Sequence, residues 1–169
     1  MSNLSDPIYE TRVLSASVSL RPAELNTLDL NSLILKKLCD KTEGKCNSSG
    51  YVKPESIKIL GRSLGYLQTH DFNANSLFEI KYSAEVCSPK NGQIIECILE
   101  TKDESHNVCY VGDEETSPCE IYIYRQNNIG NTDYGSLKQG DKLLVKVNDI
   151  QVEFGAPRVL VGGEFIRKI

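Results

Sequence analysis

After Gly92 the chain reads as five short stretches of β-type residues, each ended by a turn. "QIIECILET" is followed by the polar turn "KDESH", and "NVCYVG" by the acidic loop "DEETSPC". "EIYIYR" leads into "NNIGNTDYGSLKQGD", "KLLVKVNDIQVE" into "FGAP", and "RVLVGGEFI" comes last. The apolar residues alternate, as on a strand with one buried face. Five such strands within about 80 residues suit a small barrel.

The five-stranded oligonucleotide/oligosaccharide-binding (OB) barrel matches this pattern best. Alternation points Ile121 and Ile123 of strand three inward and Tyr122 and Tyr124 outward, with Arg125 next. In strand four it points Leu143, Val145 and Val147 inward and Lys142, Leu144 and Lys146 outward. Tyr110 of strand two and His106 in the turn before it complete a candidate surface. OB barrels bind single strands on strands two and three, where rings stack on bases and cations meet phosphates. The expected RNA contacts are therefore His106, Tyr110, Tyr122, Tyr124, Arg125, Lys142 and Lys146. The competing expectation is that these tyrosines and lysines pack against the first domain or a partner, since strands favour Tyr anyway.

The first half is mixed. In "TRVLSASVSL" (Thr11 to Leu20), Leu14, Ala16, Val18 and Leu20 form one apolar face of a strand. From about Asp29 to Asp40, Leu30, Leu33, Ile34, Leu35 and Leu38 recur at helical spacing, with Gly44 as a stop. "GYVKP" and "SIKIL" read as short strands separated at Pro54. "GRSLGYLQTHDFNANS" reads as an exposed loop or hairpin tip. A long strand follows, with Phe78, Ile80, Tyr82, Ala84 and Val86 on one face. The predicted architecture is α+β over residues 1–83, then all-β over residues 84–169.

Charge argues against a general affinity for nucleic acid. Residues 1–82 hold ten Lys/Arg and nine Asp/Glu; residues 83–169 hold nine and fourteen. The barrel half is thus acidic, and RNA binding there needs a local patch. No apolar run reaches the roughly 18 residues of a membrane helix. "MSNLSDPIYETRVL" lacks the plan of a signal peptide, so an intracellular, non-membrane protein is expected. The six cysteines form no C-x-x-C pair and have no histidine at zinc-finger spacing. They are expected to be reduced and structural, with no metal or cofactor.

An enzyme is not expected. The chain has no G-x-x-x-x-G-K-[ST], no G-x-G-x-x-G and no H-E-x-x-H. The "THD" of Thr69 to Asp71 reads as a surface turn, not a dyad, and "DEE" (Asp113 to Glu115) as a solvated loop.

Three segments carry a resemblance. "LFEIKYSAEVCSPKNGQIIECILET" resembles the junction of the stalk subunit of multisubunit DNA-directed RNA polymerases, the family of the seventh subunit of polymerase II and its archaeal counterparts. The matching residues are Phe78, Ile80, Lys81, Tyr82, Pro89 and Gly92. "LKQGDKLLVKVNDIQVE" is similar to that family's lead into strand four, and "EGKCNSSGYV" to the segment after its helix. The similarity covers about residues 11 to 166, through the order and spacing of these segments. His106 and Asn107 stand where family members usually carry a glycine and an aromatic, which marks a divergent copy such as a large DNA virus could encode.

The resemblance implies a ribonucleoprotein-like tip domain and a C-terminal OB domain of the ribosomal S-one type. It implies a non-catalytic subunit in transcription, docked on the large polymerase subunits and presenting its barrel to nascent RNA and initiation factors. Cellular members pair with a second, helical stalk subunit. Arg62, Leu64, Tyr66 and Leu67 fall where the family's docking loop lies, and are the expected core-polymerase contacts. Location would be nuclear for a cellular copy, cytoplasmic or in the virion for a viral one. The alternative is a free-standing single-stranded RNA-binding OB protein in translation or RNA decay. A third class is a protein-interaction module whose barrel touches no RNA.

Overall fold

The computed structural model describes residues 7–68 and 72–169. The described chain is mostly β, with two α-helices. In chain order come β1 (Tyr9–Leu20), α1 (Leu30–Thr42), β2 (Cys46–Asn47), β3 (Gly50–Val52), β4 (Lys58–Arg62), β5 (Tyr66–Leu67) and β6 (Ser76–Cys87). Then follow β7 (Ile94–Lys102), β8 (His106–Tyr110), β9 (Cys119–Tyr124), the one-turn helix α2 (Thr132–Gly135), β10 (Lys142–Gln151) and β11 (Val159–Lys168). Two compact units result. Of the described residues, one comprises 11–43, 52–68 and 72–86; the other takes 7–10, 44–51 and 87–169. Segments 7–10 and 44–51 thus group with the barrel although they precede residue 84.

In the first unit β1 lies beside β6, and β4 and β5 also pair with β6. Tyr66↔Leu77 and Lys58↔Ser83 set the antiparallel register, so "GRSLGYLQ" lies along the first arm of a hairpin whose second arm is β6 and is not wholly open loop. The "THD" turn lies outside the described residues. Phe78, Ile80, Tyr82, Ala84 and Val86 are all buried, as alternation requires. Helix α1 starts where the Asp29 side chain accepts from the Ser32 N–H at 3.1 Å, satisfying one of the free first-turn donors. It ends before Gly44, at φ +66°. Ile34 and Leu38 are its fully buried residues; Leu35 lies off that face, at 36% exposure. Burying such a side chain contributes about 1.5–3 kcal/mol.

In the second unit the five predicted strands close into a barrel in the order β10-β11-β9-β8-β7. All pairs are antiparallel except β11 with β9, which run parallel from Val159↔Cys119 to Gly163↔Ile123. Ile121, Ile123, Leu143, Val145 and Val147 fill the interior, as predicted from alternation. Leu144 corrects that reading in part. It sits on the outward set, opposite Glu96 and Arg167, yet is buried to 4% exposure. The barrel core also takes in Cys46, Cys87, Cys97, Cys109 and Cys119. All six cysteines are free thiols.

Candidate nucleic-acid interface

The outer face of β8 and β9 carries an aromatic cluster. Antiparallel register sets His106 opposite Tyr124 and Val108 opposite Tyr122. Residues paired this way are near enough for side-chain contact, and so are their diagonal neighbours when the side chains are aromatic. The His106 ring lies 5.5 Å from the Tyr122 centroid and 6.3 Å from that of Tyr124, tilted by 46° and 50°. His106 is therefore the first residue of β8, not part of the turn before it. Its Nδ1 lies 2.8 Å from the Ser105 hydroxyl, and its Nε2 3.9 Å from Asp103. The turn is held to β9, because the Arg125 N–H donates to the Ser105 carbonyl at 3.0 Å. Arg125 thus flanks the cluster at the end of β9.

Tyr122 is fixed and neutral. Its phenol donates to Glu120 at 2.7 Å, and this bond, with burial and the Glu120 charge, pushes its pKa up to about 12. Tyr124 is 43% exposed and offers an open ring. Such rings can stack on successive bases.

The other expected RNA contacts lie elsewhere. Tyr110 is buried, and the Arg158 guanidinium lies 4.8 Å from its ring centroid. That face is occupied by a cation–π contact. Lys142 and Lys146 sit on β10, which pairs with β7 and β11 and with neither β8 nor β9. Lys142 faces Glu96 at 3.8 Å, and Lys146 is in register with Glu164. Four of the seven residues, His106, Tyr122, Tyr124 and Arg125, are brought together; the lysines form a separate stripe.

No protein-family model and no curated protein matches the chain.

Sequence reasoning missed a cleft beside the cluster, with Tyr122 and Tyr124 on one side and Asn148, Asp149 and Gln151 on the other. Its signals were the Gly162-Gly163 pair inside strand five and the break of alternation at Asn148 and Asp149.

In the first unit the four expected docking residues lie along β4, β5 and the residues between them. Leu64 and Leu67 are 87% and 63% exposed. The Tyr66 phenol donates to Glu79 at 3.3 Å. Arg62 is more tied down. Its Nε donates to Asn31 at 2.8 Å, and its guanidinium lies 5.6 Å from the Phe78 ring centroid. Leu64 also borders a groove of about 620 Å³ between α1 and β4, lined by Asn31, Leu35 and Leu60.

Among the described residues, no three His, Cys, Asp or Glu side chains are grouped to hold a metal ion. No described helix is long and apolar enough to cross a membrane.

Proposed function

We propose that this chain is a non-catalytic stalk subunit of a multisubunit DNA-directed RNA polymerase. In this reading the closed barrel is of the OB type and the β1–α1–β6 unit is a ribonucleoprotein-like tip domain. The tip domain docks on the large polymerase subunits through Leu64, Tyr66 and Leu67, assisted by Arg62. The barrel meets nascent RNA and initiation factors.

The observation that carries the reading is the barrel order β10-β11-β9-β8-β7, with His106, Tyr122 and Tyr124 clustered on β8 and β9. The second and third barrel strands are where an OB barrel stacks single-stranded bases. The junction residues Phe78 to Gly92 support the polymerase assignment, since Phe78, Ile80 and Tyr82 bury into one core and lead directly to the barrel's first strand. With Arg125 as the cation placed beside the rings among the described residues, the barrel is suited to guiding a transcript already held by the enzyme. Tight autonomous binding would need more phosphate-neutralising cations.

Affinity purification of the tagged chain from its native source tests the proposal. Stoichiometric recovery of the two largest polymerase subunits is expected. Recovery of ribosomal or RNA-decay proteins without polymerase would favour a free-standing RNA-binding protein instead.

A further inference from the structure

We propose that the cleft beside the aromatic cluster is a subsite for one nucleobase carrying an exocyclic amino group, and that it disfavours uracil. The inference rests on the RNA-facing role of the barrel. The cleft has a volume of about 370 Å³, within the ~300–1,000 Å³ of small-ligand sites. It lies on the outside of the barrel where β9, β11 and β10 run side by side.

Two backbone features build it. The first is the glycine pair on β11. A Cβ on Gly163 would stand 2.2 Å from Val145 Cγ1 in the interior, so Gly163 serves packing. Gly162 points the other way, in register with Tyr122 on one side and Asp149 on the other. A Cβ there would stand 3.3 Å from Asp149 Cβ and occupy the cleft floor. The second feature is a bulge on β10. The register passes from Val147↔Gly163 to Asp149↔Gly162, leaving Asn148 as the extra residue. Bulges re-aim side chains and recur beside functional sites. Here the bulge leaves Asn148 and Asp149 both exposed along the cleft.

The lining selects a chemistry. Tyr122 and Tyr124 supply a stacking wall, and Asn127, Asn148 and Gln151 supply amides that both donate and accept. Among the described residues that line the cleft, Asp149 is the one charged group, and no Lys or Arg joins it. A phosphate is repelled from such a site; a planar, uncharged ring with N–H donors is favoured. The Asp149 Oδ1 accepts from the Ile150 N–H at 3.0 Å, which orients the carboxylate and leaves its other oxygen for a ligand. Cytosine, adenine and guanine each present an exocyclic amine to such an acceptor. Uracil presents a carbonyl there instead, and the two acceptors repel. Arg125, directly after Tyr124, stands outside the lining and can meet a flanking phosphate.

Fluorescence anisotropy of the full chain with end-labelled hexacytidylate and hexauridylate tests this. The two probes carry equal charge, so at one salt concentration their phosphate contributions cancel. The cytosine probe is expected to bind about tenfold or more tighter. Asp149→Asn keeps the shape and the Oδ1 acceptor for Ile150, and is expected to bring the two affinities to within about twofold. Equal wild-type affinities, both weakened by Tyr124→Ala, would overturn the subsite and leave the RNA-facing barrel standing. A cytosine preference that survives Asp149→Asn would overturn the assignment to Asp149. Binding of neither probe would overturn both the subsite and the RNA-facing role.

Discussion

The Tyr122 phenol donates a 2.7 Å hydrogen bond to Glu120, two residues earlier on the same outward face of β9. The bond spends the phenol on the protein and leaves the ring as the part that can meet a ligand. Tyr122→Phe should therefore change single-stranded RNA affinity little, while Tyr122→Ala should cost ~1–3 kcal/mol, the contribution of one stacked base. Anisotropy titrations of both variants check this. A Phe variant as weak as the Ala variant would assign the effect to the hydroxyl.

Gly163 is the tightest glycine in the barrel. Its missing Cβ would meet Val145 Cγ1 at 2.2 Å and Ile121 Cγ2 at 3.3 Å, both fully buried. Branched side chains in a closed interior have few other rotamers available. Gly163→Ala should therefore destabilise the protein by ~1–3 kcal/mol, the usual cost of overpacking. Urea denaturation gives the measurement. Gly61→Ala, at a position with nothing within 4 Å, should be within about 0.5 kcal/mol of wild type and serves as the control.

These contrasts mark what alternation can reveal. Period-two patterning identifies Ile121, Ile123, Leu143, Val145 and Val147 as interior because each strand has one wet and one dry face. It carries no information on which strands become neighbours. Tyr122 and Lys146 therefore looked like one surface, whereas the closed order puts them on strands that do not pair. Leu144 escaped the pattern because outward residues can still be covered. The cleft was hidden for the same reason. It joins β9, β10 and β11 across about 40 residues of sequence, and a bulge shifts the period at Asn148.

Glu24 gives a pH-dependent contribution of known sign. Lys37 donates to it at 2.8 Å, the Arg21 N–H at 2.9 Å and the Arg21 guanidinium at 3.2 Å. With Lys37 the largest cause, these hold its pKa at about 2, below the ordinary 4.5. A depressed carboxylate stabilises the fold above its unfolded pKa, and that contribution is lost as pH falls from about 4.5 towards 2. Carboxyl-carbon NMR should place the Glu24 midpoint near 2, and Lys37→Ala should move it upward. A midpoint unchanged by Lys37→Ala would refute the pairing.

The thiols should be inert in the folded protein. Cys87 and Cys119 lie buried with their sulfurs 3.3 Å apart, and this contact, with burial, raises the Cys119 pKa far above the ordinary thiol range. Cys97 is raised by its contact with Cys109 and by burial. Cys39 is the one half-buried thiol, and burial with Glu43 pushes it up to about 11. Since the thiolate is the nucleophile, alkylation near pH 7.5 should be slow throughout and fastest at Cys39. Mass spectrometry should find Cys39 modified first in the native chain and all six modified in urea. Early labelling of Cys87 or Cys119 would contradict the buried pair.

Leu64 offers the sharpest test of docking. It is 87% exposed and packs in neither hydrophobic core, so a charge there has almost no folding cost. At a docked interface the same charge would be buried without a partner, which is strongly unfavourable. Leu64→Asp should therefore leave the melting temperature within about 2 °C of wild type. It should also reduce co-purification with the large polymerase subunits by tenfold or more, as a loss of ~1.4 kcal/mol or greater implies. Tyr124→Ala, on the barrel, should leave that recovery intact while weakening RNA binding. If Leu64→Asp leaves polymerase recovery unchanged, docking does not pass through this hairpin.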